Sequence, residues 1–239
     1  MKKISIFVFI AIAMSSCSNN PSSTSGNVSF KASAVSSTGK TSSTARTAAS
    51  TVVITDFKVN IGNIKLETDM EDAMHSKDPM HEDVKLMGPF LLDLLDPNKP
   101  LSQFITSVDV PNAKYEEIKF HFTKSIIAGD MEGKTFLLKG TINDKPFIIW
   151  SAENIELKMD FMDPSKDFAV NDNSVALNIK IQLDALMTKL TFMANQGLLL
   201  DADGDGIIEI TTGMDDGHSV IGHQMKELLE NETHLDDKD

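Results

Sequence analysis

Apolar and polar residues alternate one by one in several separate segments of this chain. The clearest segments are 118–122, 155–161 and 175–183, in which every second side chain is apolar. A period of two is typical of a strand that buries one face. About seven such segments are separated by turn residues, and no helical repeat stands between them. The pattern therefore predicts a mainly β protein, and specifically an antiparallel β-sandwich.

Interruptions within these segments predict particular backbone features. The apolar positions change parity at Gly62-Asn63, which predicts a β-bulge. Asn143-Asp144-Lys145 joins two β-rich runs and predicts a hairpin turn. The segment 84–95 is more continuously apolar and predicts a buried strand that Gly88-Pro89 interrupts. Trp150 ends an apolar run and is predicted to lie in the core rather than to form a sugar-stacking surface.

After the last alternating segment the spacing of apolar residues becomes that of a helix. Apolar residues in 183–190 and 221–229 recur every three or four positions, the spacing of an amphipathic helix. The acidic tail 231–239 is expected to be frayed. We therefore expect one or two short C-terminal helices after a β-sandwich domain at 52–184, in an extension that covers 185–239.

The amino terminus resembles that of an exported bacterial lipoprotein. Lys2 and Lys3 precede an apolar run at 4–14, which is too short to span a bilayer. Met14-Ser15-Ser16-Cys17 then resembles a lipobox. The resemblance implies cleavage of residues 1–16 and lipid attachment at Cys17, which would anchor the protein to a membrane. Ser18, where an aspartate would retain a lipoprotein in the inner membrane, favours the outer membrane.

Composition excludes several classes of function. Cys17 is the only cysteine, so an intrachain disulfide or a thiolate metal site is excluded. The formal net charge of −13 disfavours nucleic acid and anionic lipid surfaces as partners. Membrane association would therefore depend on the N-terminal lipid, and a protein or glycan partner stays open.

Residues 17–51 are dominated by serine and threonine, with Phe30 as the one large aromatic exception. Such a composition buries little apolar surface against the entropy cost of ordering the chain. It predicts a flexible tether between the lipid and the folded domain.

Four motifs resemble those of an uncharacterised family of bacterial lipoproteins that carry a domain of unknown function. They are IGNIKL at 61–66, FLLDLL at 90–95, VPNAKYEEIKF at 110–120 and GTINDKPF at 140–147. The resemblance covers about residues 52–184 and departs at Asn112-Ala113, where the family usually has a glycine. It implies an immunoglobulin- or transthyretin-like sandwich and no established activity.

An acidic segment at 201–209 resembles the first half of a calcium-binding loop. Oxygen ligands at alternate positions, followed by a glycine for the sharp turn, are typical of such loops. The candidate calcium ligands are Asp201, Asp203, Asp205, the Ile207 carbonyl and Glu209. Thr212 stands where a bidentate acid is expected, and Asp215 or Asp216 could complete the coordination. A metal-free Asp/Gly turn explains the pattern equally well.

A second segment carries thioether and imidazole groups within an acidic loop. The candidate copper ligands are Met70, Met74, His75, Met80 and His81. Their spacing meets no sharp rule, and a solvated acidic loop is the favoured interpretation.

Evidence for an enzyme is weak. Ser219 and His223 share a predicted helix face near Asp215 and Asp216, but no oxyanion device or nucleophile motif accompanies them. The sequence thus predicts a lipid-anchored, non-enzymatic envelope module of unknown ligand. An envelope metal-binding protein is the alternative.

Overall fold

The computed structural model describes residues 25–36, 52–68, 83–100, 102–160, 168–213 and 215–236. Within them the protein is mainly β, which confirms the coarse prediction. The strands are β1 (Ser25–Val35), β2 (Val52–Thr68), β3 (Val84–Asp93), β4 (Gln103–Pro111), β5 (Ala113–Phe122), β6 (Phe136–Ile142), β7 (Lys145–Ser151), β8 (Ile155–Asp160), β9 (Phe168–Val170), β10 (Ser174–Gln182), β11 (Ile208–Thr211) and β12 (Thr233–Asp236). The helices are α1 (Asp184–Asn195) and α2 (Ser219–Asn231), and neither is long and apolar enough to cross a membrane.

The strands form two mixed sheets. The smaller sheet has the order β12-β10-β1-β4, and the larger has the order β11-β7-β6-β2-β5-β8, with β3 beside β2 and β9 beside β5. Two pairs are parallel, β1 with β10 and β11 with β7. The predicted antiparallel pairing therefore holds for the other strand pairs and fails for these two. Hairpins force neighbours in sequence to be antiparallel, whereas β1 and β11 join strands that are distant in sequence and are free to run parallel.

The predicted tether contains a core strand. Ser25–Val35 forms β1, which pairs with β10 from Asn27↔Ser174 to Val35↔Gln182 and with β4 on its other side. Val28 and Phe30 are fully buried. The tether prediction was wrong here because two of the inward positions, Ala32 and Ala34, are small and leave the apolar alternation inconspicuous. Residues 17–24 and 37–51 lie outside the described residues.

Buried side chains from both sheets belong to one hydrophobic core. Phe30 of the smaller sheet meets Phe120 of the larger sheet edge to face, with ring centroids 6.0 Å apart and planes at 79°. At one end of the core Tyr115 stacks on Phe168 at 5.1 Å and donates a hydrogen bond to the Pro111 carbonyl. Burial raises the pKa of Tyr115 to about 12, so its hydroxyl stays protonated at neutral pH.

Two predicted backbone features are confirmed. Asn143 and Asp144 have φ of 52° and 65° and form a two-residue turn between β6 and β7, with Ile142 opposite Lys145. The pairing of β2 with β3 and with β5 shifts between Ile61 and Asn63, as a bulge requires. A Cβ on Gly62 would lie 2.3 Å from the Thr123 hydroxyl, so this close approach needs glycine.

The apolar segment 84–95 is not a buried strand. β3 continues through Gly88-Pro89, where its pairing with β2 shifts opposite the Gly62 bulge. Its outward face leaves Met87 68% exposed and Leu91 38% exposed. Both faces of β3 carry apolar residues, but within the described residues only one face packs on the core, so the continuous run did not indicate full burial.

The C-terminal segment belongs to the same sheets rather than to an extension. The two predicted helices are present, and each buries one apolar face, with Leu190 and Met225 at their centres. β11 extends the larger sheet beside β7. β12 pairs with β10, so the tail predicted to be frayed contains a strand at Thr233–Asp236.

Candidate functional site

Three aspartates converge in the loop between α1 and β11. Ligand oxygens of Asp201, Asp203 and Asp205 all lie within 4.8 Å of one another. Two oxygens that bind one calcium ion at about 2.3–2.6 Å are at most about 5 Å apart, so this spacing suits a shared cation. Asp201 is half-buried and the other two are exposed. Among the described residues, no lysine or histidine forms an ion pair with the three carboxylates.

Backbone hydrogen bonds orient these carboxylates. Asp201 accepts from the N–H of Gly204 at 2.7 Å and from that of Gly206 at 3.0 Å. Both glycines have positive φ, 81° and 93°, which explains their presence in the loop. Asp205 accepts from the Ile207 N–H at 2.8 Å, and Asp203 accepts from the Asp205 N–H at 3.1 Å. A carboxylate has about four lone-pair sites, so each can still bind a cation.

Asp216 clamps the loop from outside the triad. Its Oδ1 accepts from the N–H of Ala202 at 2.8 Å and of Asp203 at 3.3 Å, and its Oδ2 accepts from the Glu209 N–H at 2.8 Å. Burial alone would raise the pKa of Asp216, but these backbone N–H groups hold it below its ordinary value. Asp216 therefore ties the loop to β11. The side chain of Asp215 is outside the described part.

The second half of the calcium pattern diverges from the triad. Glu209 is half-buried on β11, beside Ile148 of β7, and its carboxylate is not part of the converging group. Ile207 is half-buried and directly precedes the strand. The Thr212 hydroxyl lies 3.4 Å from that of Ser151. Of the four predicted carboxylate ligands, the structure thus brings together three, and Glu209 is the one that it does not.

The remaining predicted sites lie outside the described residues. They are the lipid attachment point Cys17 and the candidate copper ligands Met70, Met74, His75, Met80 and His81. Lipid attachment and copper binding therefore stay predictions.

The two histidines of the possible hydrolytic cluster, His218 and His223, contact residues outside the cluster. The His218 Nε2 lies 2.8 Å from the Leu200 carbonyl oxygen, and the imidazole is 7% exposed. The His223 Nδ1 lies 3.6 Å from the Glu153 Oε1. Ser219 begins α2. Each imidazole thus has a contact with a residue outside the cluster.

Trp150 lies on the outer face of the larger sheet and not in the core. Strand alternation turns Phe147 and Ile149 inward, so Ile148 and Trp150 face out, and Trp150 is half-exposed. The core prediction was wrong because residues 147–150 are apolar on both faces of the strand, so the alternation alone does not show which face meets the core. Trp150 lines a depression of about 220 Å³ together with Asp130, Lys134, Leu137, Lys139, Ile148 and Glu209.

Charged side chains form a second cluster on the outer face of β2 and β5. Glu67 accepts from the Lys119 ammonium at 2.7 Å and from the Lys65 ammonium at 2.6 Å. These bonds, Lys119 first, lower the pKa of Glu67 to about 2. Lys119 also pairs with the nearly buried Glu117 at 2.5 Å, so this part of the face is a closed ion-pair network.

Comparison with known proteins gives no identification. No family model, no curated protein and no solved structure matches the chain. The resemblance to the uncharacterised lipoprotein family accordingly stays a prediction.

Proposed function

We propose that this protein is a lipid-anchored, non-enzymatic binding or structural module of the bacterial cell envelope. One observation carries the anchor: the only cysteine, Cys17, directly follows a short apolar segment and two serines. Several acyl chains on that residue would hold the protein firmly on a bilayer. Ser18 favours the outer membrane, and the uncharacterised lipoprotein family is the kind of protein that the motifs resemble.

We infer that the folded part is a β-sandwich of the immunoglobulin or transthyretin kind, modified by its two parallel strand pairs. The edge-to-face contact of Phe30 with Phe120 supports face-to-face packing of the two sheets. A binding or structural role is supported by the contacts of the two histidines near Ser219, because His218 lies against the Leu200 carbonyl and His223 against the Glu153 carboxylate.

Calcium binding is the second candidate function, and the convergence of Asp201, Asp203 and Asp205 favours it. A calcium ion would offset the mutual repulsion of three carboxylates and brace the connection from α1 to β11. Because Asp216 already fixes the loop backbone, the entropy cost of forming the site would be small. The role of the ion would be structural.

Lipid attachment is tested by metabolic labelling of cells with a radioactive or clickable fatty acid. The wild-type protein should be labelled and should sediment with membranes, whereas Cys17→Ser should be unlabelled and soluble. Ser16→Ala is the matched control, since the lipobox accepts small residues there, and it should behave as wild type. Label that persists in Cys17→Ser would contradict the proposal.

Calcium binding is tested by calorimetric titration of the full-length protein. We expect one site in the wild type and its loss in the double variant Asp203→Asn, Asp205→Asn. Asp144→Asn removes an exposed acid elsewhere and should leave binding unchanged. Equal binding by wild type and double variant would refute the site. A parallel titration with Cu(I), compared with Met74→Ala combined with Met80→Ala, tests the copper alternative.

A further inference from the structure

The depression around Trp150 has an apolar floor made by neighbouring strands. Leu137 of β6 is paired with Trp150 of β7, and Ile148 of β7 lies in the adjacent row. Lys139 and Glu209 flank Ile148 on its two sides, through the pairings of β6 with β7 and of β7 with β11. The exposed part of the floor is formed by the indole and by Ile148, since Leu137 is 1% exposed, and polar groups lie at its margin.

The polar margin is held in place by its own contacts. The segment between β5 and β6 brings Asp130 over the sheet, where its Oδ2 lies 2.8 Å from the Lys58 ammonium and 3.0 Å from the Lys139 ammonium. Lys134 donates to the Asp130 carbonyl at 2.9 Å, and its ammonium lies 5.4 Å from the centroid of the Trp150 ring. That distance is within the limit of about 6 Å for a cation–π contact, so the ammonium lies over the ring, and a ligand that packs on this face takes the place of Lys134.

The depression is lined by equal numbers of acidic and basic side chains. Asp130 and Glu209 are acidic and Lys134 and Lys139 are basic, so the lining has no formal net charge in a chain that carries −13. A charged ligand would be attracted by the two residues of opposite charge and repelled by the two residues of like charge. The lining therefore favours a neutral ligand. Carboxylates accept and ammonium groups donate hydrogen bonds, and a polyhydroxyl ligand both donates and accepts.

The size of the depression and its apolar floor narrow the choice of ligand further. A volume of about 220 Å³ is smaller than the roughly 300–1,000 Å³ of pockets that bury a drug-sized ligand, and suits about one six-membered sugar ring. One face of a pyranose ring presents C–H groups, which pack on an aromatic ring, while its hydroxyls project to the sides. Trp150 would take the C–H face and the four charged groups would take the hydroxyls.

We propose that this depression is a binding site for a neutral saccharide, with one pyranose ring packed on Trp150 between Lys139, Asp130 and Glu209. Glu209 is the one predicted calcium ligand that lines the depression, and its carboxylate is not part of the aspartate triad, so titration in the presence of a chelator tests this site separately from calcium binding.

The test uses the fluorescence of Trp150, which is the only tryptophan of the chain and therefore reports on this site alone. The full-length protein in detergent with a chelator is titrated with glucose, galactose, mannose, N-acetylglucosamine and their β-linked disaccharides at millimolar concentrations. We expect a saturable change of emission with at least one of these sugars, and calorimetry should give the same affinity.

The variants separate the stacking role from folding. Trp150→Ala should weaken binding measured by calorimetry about tenfold or more, whereas Trp150→Phe keeps an aromatic face and should stay within about threefold of wild type. Phe192→Ala removes an aromatic residue of α1 that is 57% exposed and should change nothing. Thermal unfolding verifies that each variant is folded.

Three results would overturn the proposal. The first is the absence of saturable binding by any of the neutral sugars. The second is binding that survives in a folded Trp150→Ala variant. The third is saturable binding of only glucuronate or glucosamine, titrated in the same way as charged counterparts of these sugars, which would contradict the argument from balanced charge.

Discussion

Replacement of Phe30 by alanine distinguishes a tether from a core strand more sharply than any other change. Phe30 lies in a serine- and threonine-rich segment whose composition predicts disorder, yet its side chain is fully buried and meets Phe120 edge to face. In a tether the substitution would have almost no effect on stability. In β1 it leaves a cavity between the two sheets.

The expected loss follows from the burial and from the ring contact. A buried Phe→Ala change costs about 3–5 kcal/mol, including the cavity that remains. The edge-to-face pair puts Phe30 in the upper part of that range, because such pairs contribute about 0.5–1.5 kcal/mol beyond area burial. For a domain of this size each kcal/mol shifts Tm by about 2–4 °C, so a loss of about 4–5 kcal/mol should lower Tm by about 8–20 °C.

The assay is urea unfolding of the full-length protein, followed by circular dichroism and by Trp150 fluorescence. Phe104→Ala is the matched control, since Phe104 lies on the adjacent strand β4 and is 59% exposed, and we expect it to change stability by no more than about 0.5 kcal/mol. A loss below about 1 kcal/mol for Phe30→Ala would refute the placement of β1 in the core. A chain that begins at Thr51 should likewise fail to unfold cooperatively, because it lacks β1.

Three further predictions address the turn, the ion-pair network and the loop clamp. Asp144→Gly should stabilise the protein by about 0.5–1 kcal/mol in urea unfolding, because glycine adopts the positive φ of 65° without strain, and Asp144→Val should destabilise it. Glu67 has a folded-state pKa of about 2, below its ordinary 4.5, because Lys119 and Lys65 bind its charged form. Its contribution is therefore complete above about pH 4.5 and is lost as the pH falls towards 2, so Glu67→Gln should flatten the measured dependence of unfolding free energy on pH in that window. Asp216→Asn should weaken calcium binding about tenfold in calorimetry, since an amide nitrogen cannot accept a bond from a backbone N–H, and an unchanged affinity would contradict the clamp.

Local features could be predicted from the sequence because they depend on neighbouring residues. A period of two identified β5, β8 and β10, and the spacing of apolar residues identified both helices. Asn143-Asp144 specified a two-residue turn because asparagine and aspartate tolerate positive φ. Alternating aspartates with glycine predicted a loop whose carboxylates converge, since each of them accepts backbone hydrogen bonds only a few residues away.

Tertiary structure decided which strands are neighbours and which faces are covered. β1 pairs with β10 across about 147 residues, Asn27 with Ser174, and no local pattern reports such a partner. The alternation marks two faces of a strand but does not say which one meets the core, and so Trp150 was misplaced. Asp216 clamps the loop through backbone N–H groups of Ala202 and Glu209, which become neighbours only when the chain folds back. The sequence specified local conformation, whereas burial and partnership depended on packing between segments that are far apart in the chain.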